Sequence, residues 1–332
     1  MSADWNVIGH EWAVALLRKQ IAAGRLRHAY LFIGPPGVGR RTLALRFCQA
    51  INCTDTLTPG DFCGECRACR GFARGQHADL LVLERREGDR EIKIDALRAL
   101  TRSLSHTPLE ARYQVALILN AHQASEEAAN ALLKTLEEPN PSVILCLTAR
   151  DADSRPATVV SRCELLRLRP LSPDELAPAL ESKLGIPSAQ AGLLAVISQG
   201  LPGLAQRLHA DSALLEKRSQ WLEASERLLG ASRVERFAYA DKASKDRQAL
   251  KEQLLVWLSF WRDVLLASSG SAAPHANADR EELVQSVSRQ VQTAGAHKAL
   301  KAVERTLEQL DTNVNARLAM EVLLLDLPFV TP

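Results

Sequence analysis

The sequence predicts an α/β domain with a phosphate-binding loop (P-loop) and a zinc module, followed by two regions that are entirely helical. Three observations support this fold class. A strand, a glycine-rich turn and a helix follow one another at 31–49, apolar strands alternate with helices up to residue 170, and four cysteines cluster at 53–69. After residue 170 the apolar spacing is helical through the rest of the 332-residue chain.

The predicted elements of residues 1–170 rest on apolar periodicity and on end signals. Helices are expected at 10–23, 43–49, 94–104 and 125–138, and Gly24 and Pro139 mark the ends of the first and the last of these. Strands are expected at the short continuous apolar runs 31–33, 80–83, 115–119, 143–147 and 165–168. Strands that are apolar on both faces are typical of a parallel sheet covered by helices on both sides. Residues 1–170 are therefore predicted to form one domain.

The second half is predicted to contain a small helical unit at 171–208 and a larger helical bundle at 209–332. The small unit ends near the turn formers of residues 200–203, and a linker rich in Ser, Gly, Ala and Pro interrupts the bundle at 268–277. Trp257 and Trp261 stand at a spacing of i, i+4, which commonly packs helices together. We therefore interpret both tryptophans as core residues and not as a ligand site.

The turn after the first predicted strand matches the template G-x-x-x-x-G-K-[ST] in its glycines but not in its two reactive positions. In that template backbone N–H groups hold phosphate, the Lys reaches the β- and γ-phosphates, and the hydroxyl binds Mg²⁺. Here Arg40 replaces the Lys and Arg41 replaces the hydroxyl residue, and Arg is not equivalent to Lys at such a site. The candidate phosphate-binding residues of this degenerate loop are Gly34, Gly37, Gly39, Arg40, Arg41 and Thr42.

A second requirement of ATP hydrolysis is also missing. A hydrolysing P-loop protein places an acid at the end of a neighbouring strand to hold Mg²⁺. The strand at 115–119 is followed by Asn120 and Ala121, and neither is acidic. We therefore expect a loop that keeps its shape but hydrolyses ATP poorly or not at all. The alternatives are a simple turn without a ligand, and an active ATPase that uses Arg40 and Thr42.

Four cysteines with the spacing C-x9-C-x2-C-x2-C are predicted to bind one structural zinc ion. The predicted ligands are Cys53, Cys63, Cys66 and Cys69. Four protein ligands leave no open position on the metal, so no catalytic role is expected. Free thiols and an iron–sulfur cluster are the alternatives. The remaining cysteines lie in apolar or mixed surroundings and are expected to be small core residues: Cys48, Cys146 and Cys163.

Another class of function, a zinc-dependent DNA-binding module, is suggested by Arg67, Arg70 and Arg74 in or beside the cysteine cluster. The segment lacks the recognition-helix spacing of zinc fingers, which argues against DNA binding as its main role. The net charge of +2 likewise gives no reason to make nucleic acid or a membrane the main partner. Since no apolar run reaches about 18 residues and the N-terminus has no signal-like pattern, a cytoplasmic protein is expected.

Three segments resemble bacterial clamp-loader ATPases of the AAA+ class. The string NALLKTLEEP at 130–139 resembles a helix next to the nucleotide site of that family. Ser161-Arg162-Cys163 resembles its arginine-finger motif, and the run LDTNVNARL at 310–318 is similar to its C-terminal collar domain. The four cysteines lie where the family has its zinc module. Together the matches cover nearly the whole chain.

The resemblance implies an AAA+ core at 1–170, a small lid at 171–208 and a helical collar at 209–332. The motor subunits of the family keep the Lys, the hydroxyl and the acids that this chain lacks, and they carry a sensor Arg where it has Gly203. The resemblance is therefore closest to the non-motor branch of the family. It implies a subunit of the DNA polymerase III holoenzyme, a nucleotidyltransferase whose polymerase chemistry belongs to another polypeptide.

The resemblance also implies partners: the γ/τ motor subunits, the δ subunit, the β sliding clamp and, through the complex, primer–template DNA. The collar would assemble a ring that opens the clamp and places it on primed DNA. Arg162, flanked by Ser161 and Cys163, would reach ATP in the neighbouring subunit and stabilise the transferring γ-phosphoryl group. Base rates alone favour a plain surface ion-pair residue at this position.

Overall fold

The structure is a computed structural model of the chain that describes residues 5–56, 58–86, 89, 91–151, 157–310, 312 and 314–330. It divides into two compact units. The first comprises Met1–Ile186 with Gly200–Gly203, and the second comprises Pro187–Gln199 with Leu204–Pro332. The predicted domain boundaries after residues 170 and 208 remain a proposal. Asp311 and Asn313 of the collar-like run lie outside the described residues.

A parallel sheet of five strands forms the centre of the described part of the first unit. The strands are β1 (Ala29–Ile33), β2 (Leu80–Leu83), β3 (Gln114–Ile118), β4 (Val143–Ala149) and β5 (Glu164–Arg167). Their order across the sheet is β2-β3-β4-β1-β5, and every pairing is parallel. β1, β3 and β4 are buried along their whole length, as strands covered on both faces should be. The predicted parallel α/β sheet is confirmed.

Helices cover both faces of this sheet. They are α1 (Glu11–Ala22), α2 (Arg40–Asn52), α3 (Arg67–Arg74), α4 (Ile94–Ser103), α5 (Glu126–Glu137) and α6 (Ala157–Val160), and α7 (Pro173–Leu184) follows β5 in the same unit. Alternate residues of β1 enter two different apolar clusters, because successive strand side chains point to opposite faces. Tyr30 and Phe32 pack with residues of α1, α2 and α3, whereas Leu31 and Ile33 pack with residues of α4, α5 and α6. The sequence patterns did not predict α3 and α6.

The carboxyl ends of three strands position the candidate phosphate site. β1 runs into the glycine-rich turn, β3 leads to Asn120, and β4 ends immediately before Arg150. The Gly34 N–H donates to the Ala149 carbonyl at 3.1 Å, and the Asn120 N–H donates to Thr148 Oγ1 at 2.8 Å. These two bonds tie the turn and the Asn120 segment to the same strand, β4, at one edge of the sheet.

The second unit is helical in its described part. Its helices are α8 (Ser188–Ile197), α9 (Pro202–Ala210, which begins in the first unit), α10 (Ser212–Leu229), α11 (Arg233–Ala243), α12 (Arg247–Ser268), α13 (Glu281–Leu310) and α14 (Ala316–Asp326). α13 is kinked at Gln292, which has φ 54° and ψ 177°. Trp257 and Trp261 of α12 are fully buried in the core of this unit, which confirms their interpretation as packing residues. Among the described residues, none of the helices combines the length and the apolar character that crossing a membrane requires.

A buried arginine joins two helix ends in the second unit. Arg236 of α11 donates to the carbonyls of Leu228 and Leu229 at 3.0 and 3.1 Å, and also to the carbonyls of Leu324 and Leu327. These carbonyls belong to the last turns of α10 and α14, where a helix leaves its acceptors without internal partners. The guanidinium therefore caps both helices, and its charge matches the negative ends of their dipoles.

Candidate functional site

The glycine-rich turn has the backbone of a phosphate loop. It joins β1 to α2, and Gly34, Gly37 and Gly39 have φ values of 154°, 85° and 108°. Gly34 must also lack a side chain, because a Cβ there would lie 2.4 Å from the Leu168 carbonyl oxygen. The N–H groups in the first turn of α2 have no partner within the helix and therefore favour an anion. The turn therefore has the predicted strand–turn–helix setting.

Arg40, at the Lys position, is turned inward. The residue is only 8% exposed, and its Nη2 donates to Asn120 Oδ1 at 3.3 Å. Its Nη1 is buried and has no partner among the described residues. Burial lowers the pKa of Arg40, and the nearby charge of Arg150 lowers it further. Because residues 34–42 and 120–122 contain no acid, the site offers cations and an amide where Mg²⁺ would need carboxylates.

Two carbonyls of the loop are engaged by other segments of the first unit. The Gly203 N–H donates to the Gly37 carbonyl at 2.8 Å, and His10 Nε2 lies 2.9 Å from the Val38 carbonyl. A Cβ on Gly203 would lie 2.9 Å from that Gly37 oxygen, so a larger residue would have to displace the backbone. Arg41 and Thr42, in contrast, are exposed. The sequence analysis identified Gly203 only as the position where the motor subunits carry a sensor Arg. No pattern in the sequence predicts its contact with Gly37.

The four predicted cysteine ligands come together. Their sulfurs all lie within 4.8 Å of one another, and the Sγ atoms of Cys63 and Cys69 are 3.9 Å apart. Sulfurs that each lie about 2.3 Å from a tetrahedral zinc ion would be separated by about 3.8 Å. Backbone N–H groups of Cys63, Cys66 and Cys69 donate to the sulfurs of Cys53, Cys63 and Cys66 at 3.3, 3.2 and 3.4 Å. The cluster could therefore bind zinc.

The surroundings of Cys66 favour its thiolate. Burial acts to raise the pKa of Cys66, but hydrogen bonds from Cys69 and Thr54 outweigh it and lower the pKa to about 6. Cys66 is also the N-cap residue of α3, where the positive end of the helix stabilises a thiolate. Burial raises the pKa of Cys53 and of Cys69. A metal ion bound here would offset that penalty, because zinc binds the deprotonated form of each ligand.

The cysteine cluster is attached firmly to the α/β core. Gln49 of α2 donates to the Cys69 carbonyl at 2.8 Å, and Arg18 of α1 pairs with the buried Asp61 at 2.6 Å. Phe72 of α3 is fully buried in the apolar cluster of the first unit. The cluster therefore holds α3 against the sheet and is not a detached appendage.

The arginines that suggested DNA binding lie on α3, the helix that was not predicted. Arg67 pairs with Glu110 at 2.7 Å, and its side chain is 83% exposed. Arg70 and Arg74 are also exposed. Exposed pairs contribute little to stability, so these side chains form a solvated face of the module.

Ser161, Arg162 and Cys163 form the turn between α6 and β5. Their N–H groups donate to the carbonyls of residues 157, 159 and 160, which fixes the backbone of the motif. Cys163 packs against the apolar cluster on that face of the sheet, and burial raises the pKa of its thiol to about 12. Cys163 therefore anchors the turn and is not poised as a nucleophile.

The side chain of Arg162 lies at the surface and is 35% exposed. Its Nη2 donates to Glu137 Oε1 at 2.8 Å, and its Nη1 donates to the Thr158 carbonyl at 2.9 Å. Glu137 is the last residue of α5. The sequence did not single out Glu137, because no local spacing links the end of α5 with a turn 25 residues later.

Arg162 lies at the amino-terminal ends of the strands, whereas the phosphate loop of the same chain lies at their carboxy-terminal ends. β5 runs parallel to β1, with Glu164 opposite Tyr30 and Arg167 opposite Ile33. Arg162 precedes β5, whereas the loop follows β1. Arg162 and the loop are therefore separated along the strand direction by at least four residues of a strand, about 13 Å. Arg162 cannot serve the phosphate loop of its own chain.

Comparison with known proteins identifies relatives of this chain. Residues 9–172 match a family model described as "DNA polymerase III, delta subunit", and residues 212–328 match one described as "DNA polymerase III, delta subunit, C terminal". The DNA polymerase III subunit delta′ of Pseudomonas aeruginosa is 34% identical over 232 residues, which cover 66% of this chain and 67% of that protein.

Other relatives match over shorter segments. The subunit tau of Escherichia coli is 34% identical over 53% of this chain and 27% of its own length. The subunit gamma of Buchnera aphidicola is 32% identical over 52% of this chain and 46% of its own length, so the match spans less than half of either relative. A gamma subunit-related protein of Thermotoga maritima aligns over 95% of this chain and 97% of its own at 16% identity, but its TM-score of 0.48 is too low to support an argument.

The family matches cover both the α/β unit and the helical unit, and the delta′ relative covers two thirds of each chain. The chain therefore belongs to the delta′ family of DNA polymerase III clamp-loader subunits.

Proposed function

We propose that this chain is a non-hydrolysing clamp-loader subunit that donates Arg162 to the ATP site of a neighbouring motor subunit. The observation that supports this proposal most directly is the position of Arg162, which is partly exposed at the amino-terminal end of β5, whereas its own loop follows the carboxy-terminal end of β1. A guanidinium in that place can act on a phosphate only in another protein. It would stabilise the charge that develops on the transferring γ-phosphoryl group.

In this proposal the loop of the chain itself does not hydrolyse ATP. Arg40 is buried against Asn120, Arg41 and Thr42 point to solvent, and no acid is present at the Mg²⁺ position. The alternative of an active ATPase with an unusual loop requires Thr42 to bind the metal. That hydroxyl is one residue further along α2, about 100° around the helix from the required direction.

We propose that the partners are the γ/τ motor subunits and the δ subunit, and that the assembled ring opens the β sliding clamp and places it on primer–template DNA. An apolar stripe on α14 supports assembly through the collar. Leu318, Val322 and Leu325 follow one another at helical spacing and are 57%, 50% and 48% exposed. Exposed apolar patches of this kind mark protein contacts. A role in replication would place the chain in the cytoplasm.

We further propose that Cys53, Cys63, Cys66 and Cys69 hold one structural zinc ion. The sulfur distances and the N–H groups directed at the sulfurs support this assignment. The ion would neutralise thiolates that lie next to an apolar core. It would have no place in the ATPase reaction, since its four ligands leave no position for a substrate.

The test is Arg162→Ala in the reconstituted clamp loader. Loss of an arginine finger slows the site it serves by roughly 10³-fold or more, so the complex should lose the share of ATPase turnover that comes from that one site. Steady-state phosphate release, with and without primed DNA and clamp, measures this loss. Circular dichroism should show unchanged thermal stability, because the Arg162–Glu137 pair is exposed and contributes less than about 1 kcal/mol.

A matched control is Arg67→Ala, which also removes an exposed arginine paired at 2.7 Å. This variant should keep full turnover. Unchanged turnover in Arg162→Ala would refute the finger. An equal loss in both variants would show that the effect of Arg162→Ala is not specific to the finger position.

A further inference from the structure

Arg162 is held by its own subunit before any partner is present. Glu137 Oε1 accepts from Nη2 at 2.8 Å, and the Thr158 carbonyl accepts from Nη1 at 2.9 Å. Each acceptor takes one of the two N–H groups on its nitrogen, and together they hold the guanidinium against its own subunit. A γ-phosphate in a neighbouring subunit would compete with the Glu137 carboxylate for the charge of the guanidinium, and turning Arg162 toward it would break these bonds.

The geometry around Arg162 separates a fixed backbone from a movable side chain. The N–H of Arg162 donates to the Val159 carbonyl at 3.3 Å, and Cys163 packs into the apolar cluster beneath. The side chains of Arg162 and Glu137 are in contrast 35% and 52% exposed. A change of partner thus requires only rotation of an arginine side chain, while the turn that carries it stays in place.

The strength of the contact suits an exchange of partners. Ion pairs between exposed side chains shift an equilibrium by about fivefold or less. A phosphate oxygen in a site shielded by two subunits is a stronger acceptor, because hydrogen bonds between charged groups gain strength where water is excluded. Glu137 can therefore orient the guanidinium in the free subunit but cannot retain it against a γ-phosphate.

We propose that Glu137 is a positioning residue that keeps Arg162 within its own subunit until the γ-phosphate of ATP in the neighbouring subunit takes its place. This proposal rests on the proposed role of Arg162 in trans. No covalent bond changes and no proton moves, since the guanidinium exchanges one anionic acceptor for another. The exchange makes the contact between subunits depend on whether the neighbour holds ATP or ADP.

The test measures binding of the full chain to the motor subunit loaded with a non-hydrolysable ATP analogue or with ADP. Glu137→Gln removes the competing charge but keeps the shape of the side chain. We expect this variant to bind the analogue-loaded motor up to about fivefold more tightly, with no change in its affinity for the ADP-loaded motor. Fluorescence anisotropy of a labelled chain gives both dissociation constants.

Glu138→Gln is the matched control, because it removes the adjacent exposed carboxylate and should alter neither constant. Glu137→Gln should also have no effect when Arg162 is already Ala. The proposal fails if Glu137→Gln behaves like Glu138→Gln, or if it shifts both nucleotide states equally. If Arg162→Ala leaves the difference between analogue and ADP intact, the trans role itself is wrong, and that result is distinguishable from a failure of Glu137 alone.

Discussion

At the residue scale, burial separates two arginines that the sequence presents alike. Arg40 is 8% exposed and bonded to Asn120, whereas the side chain of Arg162 is 35% exposed and bonded to a surface carboxylate. The first fills a site that contains no acid in residues 34–42 and 120–122, and the second lies at the surface. The motif alone predicted that Arg40 replaces the Lys. The motif could not predict that the Arg40 side chain turns inward, because its hydrogen-bond partner Asn120 is 80 residues distant in sequence.

A buried carboxylate gives a prediction at the same scale. Asp79, which is fully buried, accepts the N–H groups of Leu109, Glu110 and Ala111 at 2.7, 2.8 and 2.8 Å. Burial acts to raise the pKa of Asp79, but these bonds and the nearby His77 outweigh it and lower the pKa. Because the folded pKa lies below the unfolded value of about 3.9, the carboxylate stabilises the fold above that pH, and the stabilisation disappears as the pH falls through the folded pKa.

We therefore expect Asp79→Asn to reduce the free energy of unfolding by about 1–3 kcal/mol at pH 7. The difference from the parent protein should shrink below about pH 4. Urea unfolding of both proteins at matched pH values between 7 and 3 measures it. Glu110→Gln, on the same loop but paired with the exposed Arg67, should have little effect. A difference that stays constant down to the lowest pH would contradict the assignment.

At the element scale, the zinc module shows what sequence patterns can and cannot predict. Periodicity located β2 at the predicted residues and placed α1, α4 and α5 within one or two residues of their ends. It missed α3, whose eight residues include Gly71 and three arginines and only a short apolar face. That helix depends on the Cys66 cap and on contacts distant in sequence, namely the burial of Phe72 in the core and the bond from Gln49 to Cys69.

Metal removal tests this dependence. A strong chelator should release one zinc ion per chain, lower the helical signal by the content of α3 and lower the melting temperature of the first unit. The reason is that a bound metal joins four side chains around α3, and its removal takes away that link. Elemental analysis and circular dichroism measure the two effects.

Cys63→Ser should abolish zinc retention, while Cys163→Ser should retain the full metal content, since Cys163 lies in the turn before β5. Equal metal content in both variants would exclude the four-cysteine site.

At the scale of the whole molecule, each of the two units carries one of the surfaces that we propose for partners. The first unit carries Arg162 at an edge of its sheet, and the second carries the apolar stripe of Leu318, Val322 and Leu325 on α14. The sequence predicted both segments through their resemblance to a family. It did not predict which face of α14 is exposed, because the opposite face, with Met320 and Leu323, is equally apolar.

We expect Leu318→Glu to weaken assembly with the other clamp-loader subunits by tenfold or more, about 1.4 kcal/mol or greater, without lowering the stability of the chain alone. A charge on an interface residue must be desolvated on binding, whereas in the free chain it remains in water. Sedimentation of the reconstituted complex measures assembly. Leu255→Glu on α12 is the control, since Leu255 is also 57% exposed. Full assembly of the Leu318 variant would show that the stripe is not a contact surface.

The contact between Gly203 and Gly37 limits how the loop could be redesigned. An Arg at 203 would require the 200–203 backbone to move away from the loop, since even a Cβ would lie 2.9 Å from the Gly37 oxygen. An engineer who placed a Lys at 40, a hydroxyl at 41 and an acid at 120 would therefore still have to rebuild the 200–203 segment before position 203 could take the Arg.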